Sequence, residues 1–216
     1  METTTTKTKT KVSTKAAITG RTAGRMTGRD YVLVALFGVL LFAVFMACSM
    51  VFSANANMAW FTHTVGAVPG GIVWTYVLAR VPKRGAVAVM SVLVGALGLL
   101  MGMFWTGPVG IVVGGLVAEL VLGAPTQRTA TKRIVAFAAF VLCFWAGQIS
   151  LIFIAGQTYV DMCVAMGLSA EYGQQLVDFV YGPLCLVAAC TTVIGSVAGG
   201  LLGEKLFKKH FARMGA

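Results

Sequence analysis

Charge is scarce in this sequence. Asp, Glu, Lys and Arg make up 11% of the 216 residues, against 58% hydrophobic, whereas a soluble domain carries roughly 25% charged residues. A chain so poor in charge cannot clothe itself in a polar surface. That excludes an ordinary water-soluble globule and points to an integral membrane protein whose apolar exterior is covered by lipid. Acids are rarer still, seven against 17 Lys and Arg. Cysteine is sparse and unpatterned: Cys48, Cys143, Cys163, Cys185 and Cys190 form no C-x-x-C pair, and four of them lie in apolar runs. This is the usage of small packing residues, not of a disulfide or metal framework, and only Cys163 is expected to be solvent-accessible. The common catalytic signatures are missing as well. There is no G-x-x-x-x-G-K-[ST], no G-x-S-x-G and no H-E-x-x-H. The chain is therefore not expected to be an enzyme, and no catalytic residue, metal site or resident cofactor is expected in it.

What the sequence does have is apolar length. Six runs lie at about 30–52, 58–80, 85–104, 108–123, 133–155 and 179–203. A spanning helix needs ~20 residues at a rise of ~1.5 Å each, so six transmembrane helices are expected, the fourth of them short. The first run is too long for a signal-peptide core and lacks a clean small-residue cleavage site. Residues 1–29 are rich in Thr, Lys, Arg and Gly with Glu2 as their one acid, and are expected to be disordered. Their composition is shared with transit peptides, but the apolar run that follows reads as retained. The organisation is thus a disordered basic tail (1–29), a six-helix domain (30–204) and a second basic tail (205–216).

The cations are absent from three connections and crowded into the others. Lys7, Lys9, Lys11, Lys15, Arg21, Arg25 and Arg29 precede the first run. Arg80, Lys83 and Arg84 lie in the second connection, and Arg128, Lys132 and Arg133 in the fourth. Lys205, Lys208, Lys209 and Arg213 follow the last run. All 17 fall on one face of the six-helix topology, which by the positive-inside rule places both termini in the cytoplasm. The net charge of +10 is explained by topology and needs no nucleic-acid partner; part of the basic face meets anionic headgroups, at ~1 kcal/mol per residue. His63 and His210 then lie on opposite faces and cannot share a site.

The other face differs. The segment 156–178 carries Asp161, Glu171 and Asp178. Thr158 followed by Asp161 resembles a capping box, so a short surface helix is expected there, with Gly167 at its end. Glu119, in GGLVAELVLG, reads either as snorkelling or paired with a cation such as Arg128 or Lys132, or else as part of a proton or ion relay. Glycines four apart (Gly66/Gly70, Gly98/Gly102, Gly110/Gly114, Gly195/Gly199/Gly203) fit close helix packing, or else sliding against a partner. Rings and amides gather in the cation-free half: Asn57, Trp60, His63, Trp105, Trp145, Gln148, Tyr159 and Tyr181. Aromatics at an interface serve as belt anchors, but together with amides and one imidazole these eight suit a pocket for a small, partly flat molecule. With no cation in that half, the expected ligand is neutral or cationic and stacks on aromatic rings.

The chain resembles the MptD-like (Trep_Strep) family of substrate-binding S components of energy-coupling factor (ECF) transporters over roughly residues 30–213. The resemblance is carried by GGLLGEKLFKKHF near the C-terminus, PGGIVWTYVLARVPKRGAV, the W-x-G-P at Trp105 to Pro108, GGLVAEL around Glu119, and Tyr159 with Glu171 and Tyr172. It implies an all-α, six-helix S component of an ABC importer in a bacterial cell membrane. Such a component captures a vitamin- or cofactor-like nutrient from outside and delivers it by reorienting against a transmembrane coupling protein (EcfT) and two ATPases, where ATP is bound. In that class small residues of the first helix contact the coupling protein. Here the matching stretch is Ala35 to Val39, with valine at the second small position, so Ala35, Gly38, Ala43 and Ala47 are the coupling candidates. The competing expectation is a stand-alone secondary transporter or small channel, supported by Glu119.

Overall fold

The computed structural model describes residues 24–214, with side chains through Lys209. The basic segment up to residue 23 lies outside the described residues, as do the side chains of His210 and Arg213. The described residues form helices α1 (Gly28–Phe52), α2 (Ala56–Ala59), α3 (Thr62–Arg80), α4 (Ala86–Leu100), α5 (Thr106–Leu122), α6 (Ala130–Ala155), α7 (Thr158–Ala165), α8 (Ala170–Tyr181) and α9 (Leu184–Met214), with a 3-10 turn at Pro125–Gln127. By length and composition α1, α6 and α9 (to Lys209) are long and apolar enough to cross a membrane, while α4 and α5 are shorter apolar helices. Large apolar side chains such as Leu36, Leu100, Leu120, Ile154 and Leu186 stand exposed on the outside, as they do in a protein that lipid surrounds.

The helix ends follow from local chemistry. Asp30 closes a true capping box on α1, its carboxylate accepting from the Thr27 N–H and hydroxyl at 2.7 Å each. Thr129 and Ser169 cap α6 and α8 by accepting from the N–H of Lys132 and Tyr172. Gly156, at φ 54°, lets the chain turn away after α6.

The six long helices form a ring in which α1 packs on α4, α4 on α5, α5 on α6, α6 on α9, α9 on α3 and α3 on α1, with α3 also touching α6 across the interior. The closest approaches use glycine. A Cβ on Gly110 would lie 2.6 Å from the Cys143 carbonyl of α6, and one on Gly203 would lie 2.5 Å from the Gly71 carbonyl of α3. The small-residue faces at 110/114 and 195/199/203 are thus occupied within the chain. Gly66 and Gly70 take the Phe45 ring of α1 in the same way.

Among the described residues, all three acids at the basic end are paired. Asp30 holds Lys83 at 2.6 Å, Glu119 holds Arg128 at 3.2 Å, and Glu204 is bidentate with Arg133 (2.5 and 2.7 Å). Arg128 also donates to the Lys83 carbonyl, and Arg133 to the Arg128 carbonyl. This chain of ion pairs ties α1, α5, α6 and α9 to the α3–α4 and α5–α6 connections. Glu119 is therefore a structural partner of Arg128 and also accepts from the Val87 N–H of α4 at 3.3 Å.

Several expectations are corrected. The third run ends as helix at Leu100, because Gly102 turns the chain at φ 82°. The acidic segment holds two helices, not one. α7 begins at Thr158 without a side-chain cap, so the expected box does not form, although Gly167, at φ 85°, follows the end of this helix as expected. The second helix, α8, is strongly amphipathic, burying Leu176, Val177, Phe179 and Val180 while exposing Glu171, Gln175 and Asp178. It takes residues 179–181 from the sixth run; the Gly182–Pro183 step separates them from α9. Cys163 is buried, because α7 turns it inward against Gly173 of α8, and Cys190 is the exposed cysteine. At the far end α9 carries the basic tail onward as helix, with Lys205, Lys208 and Lys209 exposed.

Candidate functional site

The end of the ring opposite the ion pairs is covered by α2, α7 and α8. There the structure sorts the eight pocket candidates into three sets. Trp60, Trp145 and Tyr159 belong to one buried cluster with Ile149, Ile152, Val160, Leu176 and Phe179. Trp60 lies against the Phe179 ring, centroids 6.4 Å apart and nearly parallel. His63 is buried in the first turn of α3 and packs edge-on against Phe144 at 4.6 Å, with Phe45 on another side at 6.1 Å. Gln148 is half-buried, with its amide nitrogen 4.0 Å from the Met103 sulfur.

The remaining three do not join them. Asn57 is exposed on α2, where its backbone N–H donates to the Asn55 side chain. Trp105 is 54% exposed at the rim of a shallow groove of about 330 Å³ between α5 and α6. Tyr181 is 63% exposed and leans edge-on against Phe153. Trp105 and Tyr181 each sit at a helix terminus and turn outward, the placement of interfacial anchors.

The polar atoms of the buried set are unusual. The indole N–H groups of Trp60 and Trp145, the His63 Nε2 and the Thr106 hydroxyl are buried without a hydrogen-bond partner among the described residues. Their residues are only 3–5% exposed. Each such group costs about 1–3 kcal/mol when left unmade, and native proteins keep few of them. They share one level. Phe144 touches His63, Trp145 follows it in sequence, and Gly147 approaches the Thr106 carbonyl so closely that a Cβ would lie 2.7 Å from it. One turn of α6 thus reaches His63, Trp145 and Thr106, and Trp60 shares the buried cluster of Trp145. By contrast, Trp74, deep in the other half, donates to the Arg133 carbonyl at 3.1 Å.

The lid over this level is well fastened. The Tyr172 hydroxyl donates to the Ser53 carbonyl at 2.6 Å, tying α8 to the end of α1. Burial pushes the Tyr159 phenol above its ordinary range, and does the same to the Cys163 thiol beside it. Asp161, Glu171 and Asp178 all point to the exterior.

Sequence reasoning overlooked Thr106 and the ring-bearing walls Phe45, Phe144 and Phe179. Phenylalanines inside apolar runs look like core, and Thr106 stood between the more conspicuous Trp105 and Pro108. Of the coupling candidates, Ala43 and Ala47 are exposed on α1 and Ala35 is half-exposed. Gly38 is buried against α4, where a Cβ would meet Met90 at 3.2 Å.

A family model described as a hypothetical bacterial integral membrane protein (Trep_Strep) matches residues 28–213. No curated protein and no solved structure matches the chain.

Proposed function

We propose a function from one premise: the chain belongs to the Trep_Strep family of bacterial integral membrane proteins. We read it as the ligand-capturing S component of an ECF-type importer. It takes a small nutrient into the level between Trp60, His63, Trp145 and Thr106 and releases it inward when a coupling protein and two ATPases act on it. The observation that carries this reading is the layer of buried polar groups without partners, set under a lid of α2, α7 and α8 at the end that has no cation. Apolar pockets with a few placed polar groups are what small-molecule sites look like.

In this reading the six long helices are six spans with both termini cytoplasmic, since every Lys and Arg among the described residues lies at the opposite end. The exposed face of α1, with Ala43 and Ala47, is the surface offered to the coupling protein. Glu119, the main support for a stand-alone ion-driven carrier, is engaged with Arg128, which favours the importer. Reconstitution in liposomes tests it. Uptake of the captured molecule is expected only when the coupling protein and ATPases are present with ATP; flux through liposomes holding this chain alone contradicts it.

A further inference from the structure

The four unpartnered groups differ in what they need from a ligand. An indole nitrogen only donates, so Trp60 and Trp145 call for two acceptors. His63 is fixed by its neighbour. The Thr62 hydroxyl donates its single hydrogen to the Ala59 carbonyl at 2.7 Å, so towards the His63 Nδ1, 3.4 Å away, its oxygen only accepts. The Nδ1 therefore carries the proton. With Phe45 and Phe144 against the ring and no carboxylate in contact with it among the described residues, a charged imidazolium would be an unpaired buried charge, so the ring is neutral. Its buried Nε2 is then a bare acceptor and calls for a donor. The Thr106 hydroxyl serves either way.

Charge narrows the choice further. Apart from His63 no basic residue occurs in 49–66, 100–110 or 141–190, so an anionic ligand would enter without a counter-charge. The acids of this end, Asp161, Glu171 and Asp178, are exposed on the outside of the lid, so a cation gains none of them either. This revises the expectation of a neutral or cationic ligand to a neutral one.

We infer that the site binds an uncharged planar heterocycle with acceptors and a ring or amide N–H on one edge, of the lactam or carboxamide kind. Its acceptors take the Trp60 and Trp145 indoles, its N–H is received by the His63 Nε2, and its faces meet the aromatic walls. The inference rests on the reading of this end as a capture site and adds the class of molecule captured.

The test is mass spectrometry of small molecules released on denaturing the full-length protein after purification in detergent, alongside Trp60→Phe and Trp145→Phe. The wild type is expected to release a neutral heterocycle of this kind. Each variant, which keeps a six-membered aromatic ring and loses the pyrrole half of the indole with its N–H, is expected to release at least tenfold less per mole. Because trimming a buried indole to phenyl also leaves a small cavity, each variant is checked for a cooperative melting transition in detergent, which shows that lost release is not lost fold; where one variant lacks that transition the other carries the test. An anionic or aliphatic molecule, no molecule at all, or folded variants that release as much as the wild type would overturn the inference. Should an anion be released whose entry into cells still needs the ATPases, the chemistry fails and the importer reading stands. A neutral heterocycle that crosses without them defeats the importer reading alone.

Discussion

Arg133 and Glu204 show how much a single side chain holds here. Glu204 is nearly buried, and both its oxygens are taken by the Arg133 guanidinium. Removing one partner of a buried pair costs about 3–5 kcal/mol, because the other charge is stranded, whereas replacing both by apolar residues is often neutral. Arg133→Ala is therefore expected to lower the apparent melting temperature in detergent sharply, and Arg133→Met with Glu204→Met to recover most of the loss. A double variant no better than the single one would deny the pair this role. The sequence marked Glu119 as needing a partner, since a lone acid sits oddly in GGLVAELVLG. Glu204 went unmarked because it stood among lysines in GEKLFKK, where a solvated acid is the plain expectation. The same blindness hid Thr106. Whether a polar atom is satisfied depends on neighbours that only folding supplies, so rings and amides could be gathered by type but not sorted into buried and exposed.

The helices were more legible than their ends. Apolar runs and cation-bearing connections were enough to locate the six long helices to within a few residues at most termini. What they missed was the α8 amphipathic stretch, whose Glu171, Gln175 and Asp178 made it read as loop. The α3–α9 pairing also depends on details below the reach of hydropathy. A Cβ added at Gly199 would run into the Ala67 carbonyl, where backbone cannot yield. Gly199→Ala is expected to destabilise by about 1–3 kcal/mol through overpacking, whereas Gly28→Ala, with nothing within 4 Å of the new Cβ, should leave the melting temperature within error of wild type. Equal effects would mean that this helix pair is not held by close approach. The four-residue glycine spacing did foretell tight packing; which helix each face would meet was not contained in it.

The molecule as a whole is polarised along the ring axis. One end is knitted by Asp30–Lys83, Glu119–Arg128 and Arg133–Glu204, with surplus cations around it. The other is capped by short helices over buried, partnerless donors and acceptors. In the proposed topology, pairing at the basic end costs less than it would in a protein interior, because its members would lie where headgroups and water begin. The polar layer has no such relief, and in the proposed reading a bound molecule completes it. This polarity yields function only if the two ends face different compartments. The decisive measurement is labelling of intact cells with a membrane-impermeant maleimide, using Arg84→Cys and Glu171→Cys separately in a background with Cys48, Cys143, Cys163, Cys185 and Cys190 replaced by alanine. Both positions are exposed. The account predicts that the cysteine at 171 reacts from outside and the one at 84 only after lysis; reaction of both from the same side would contradict it.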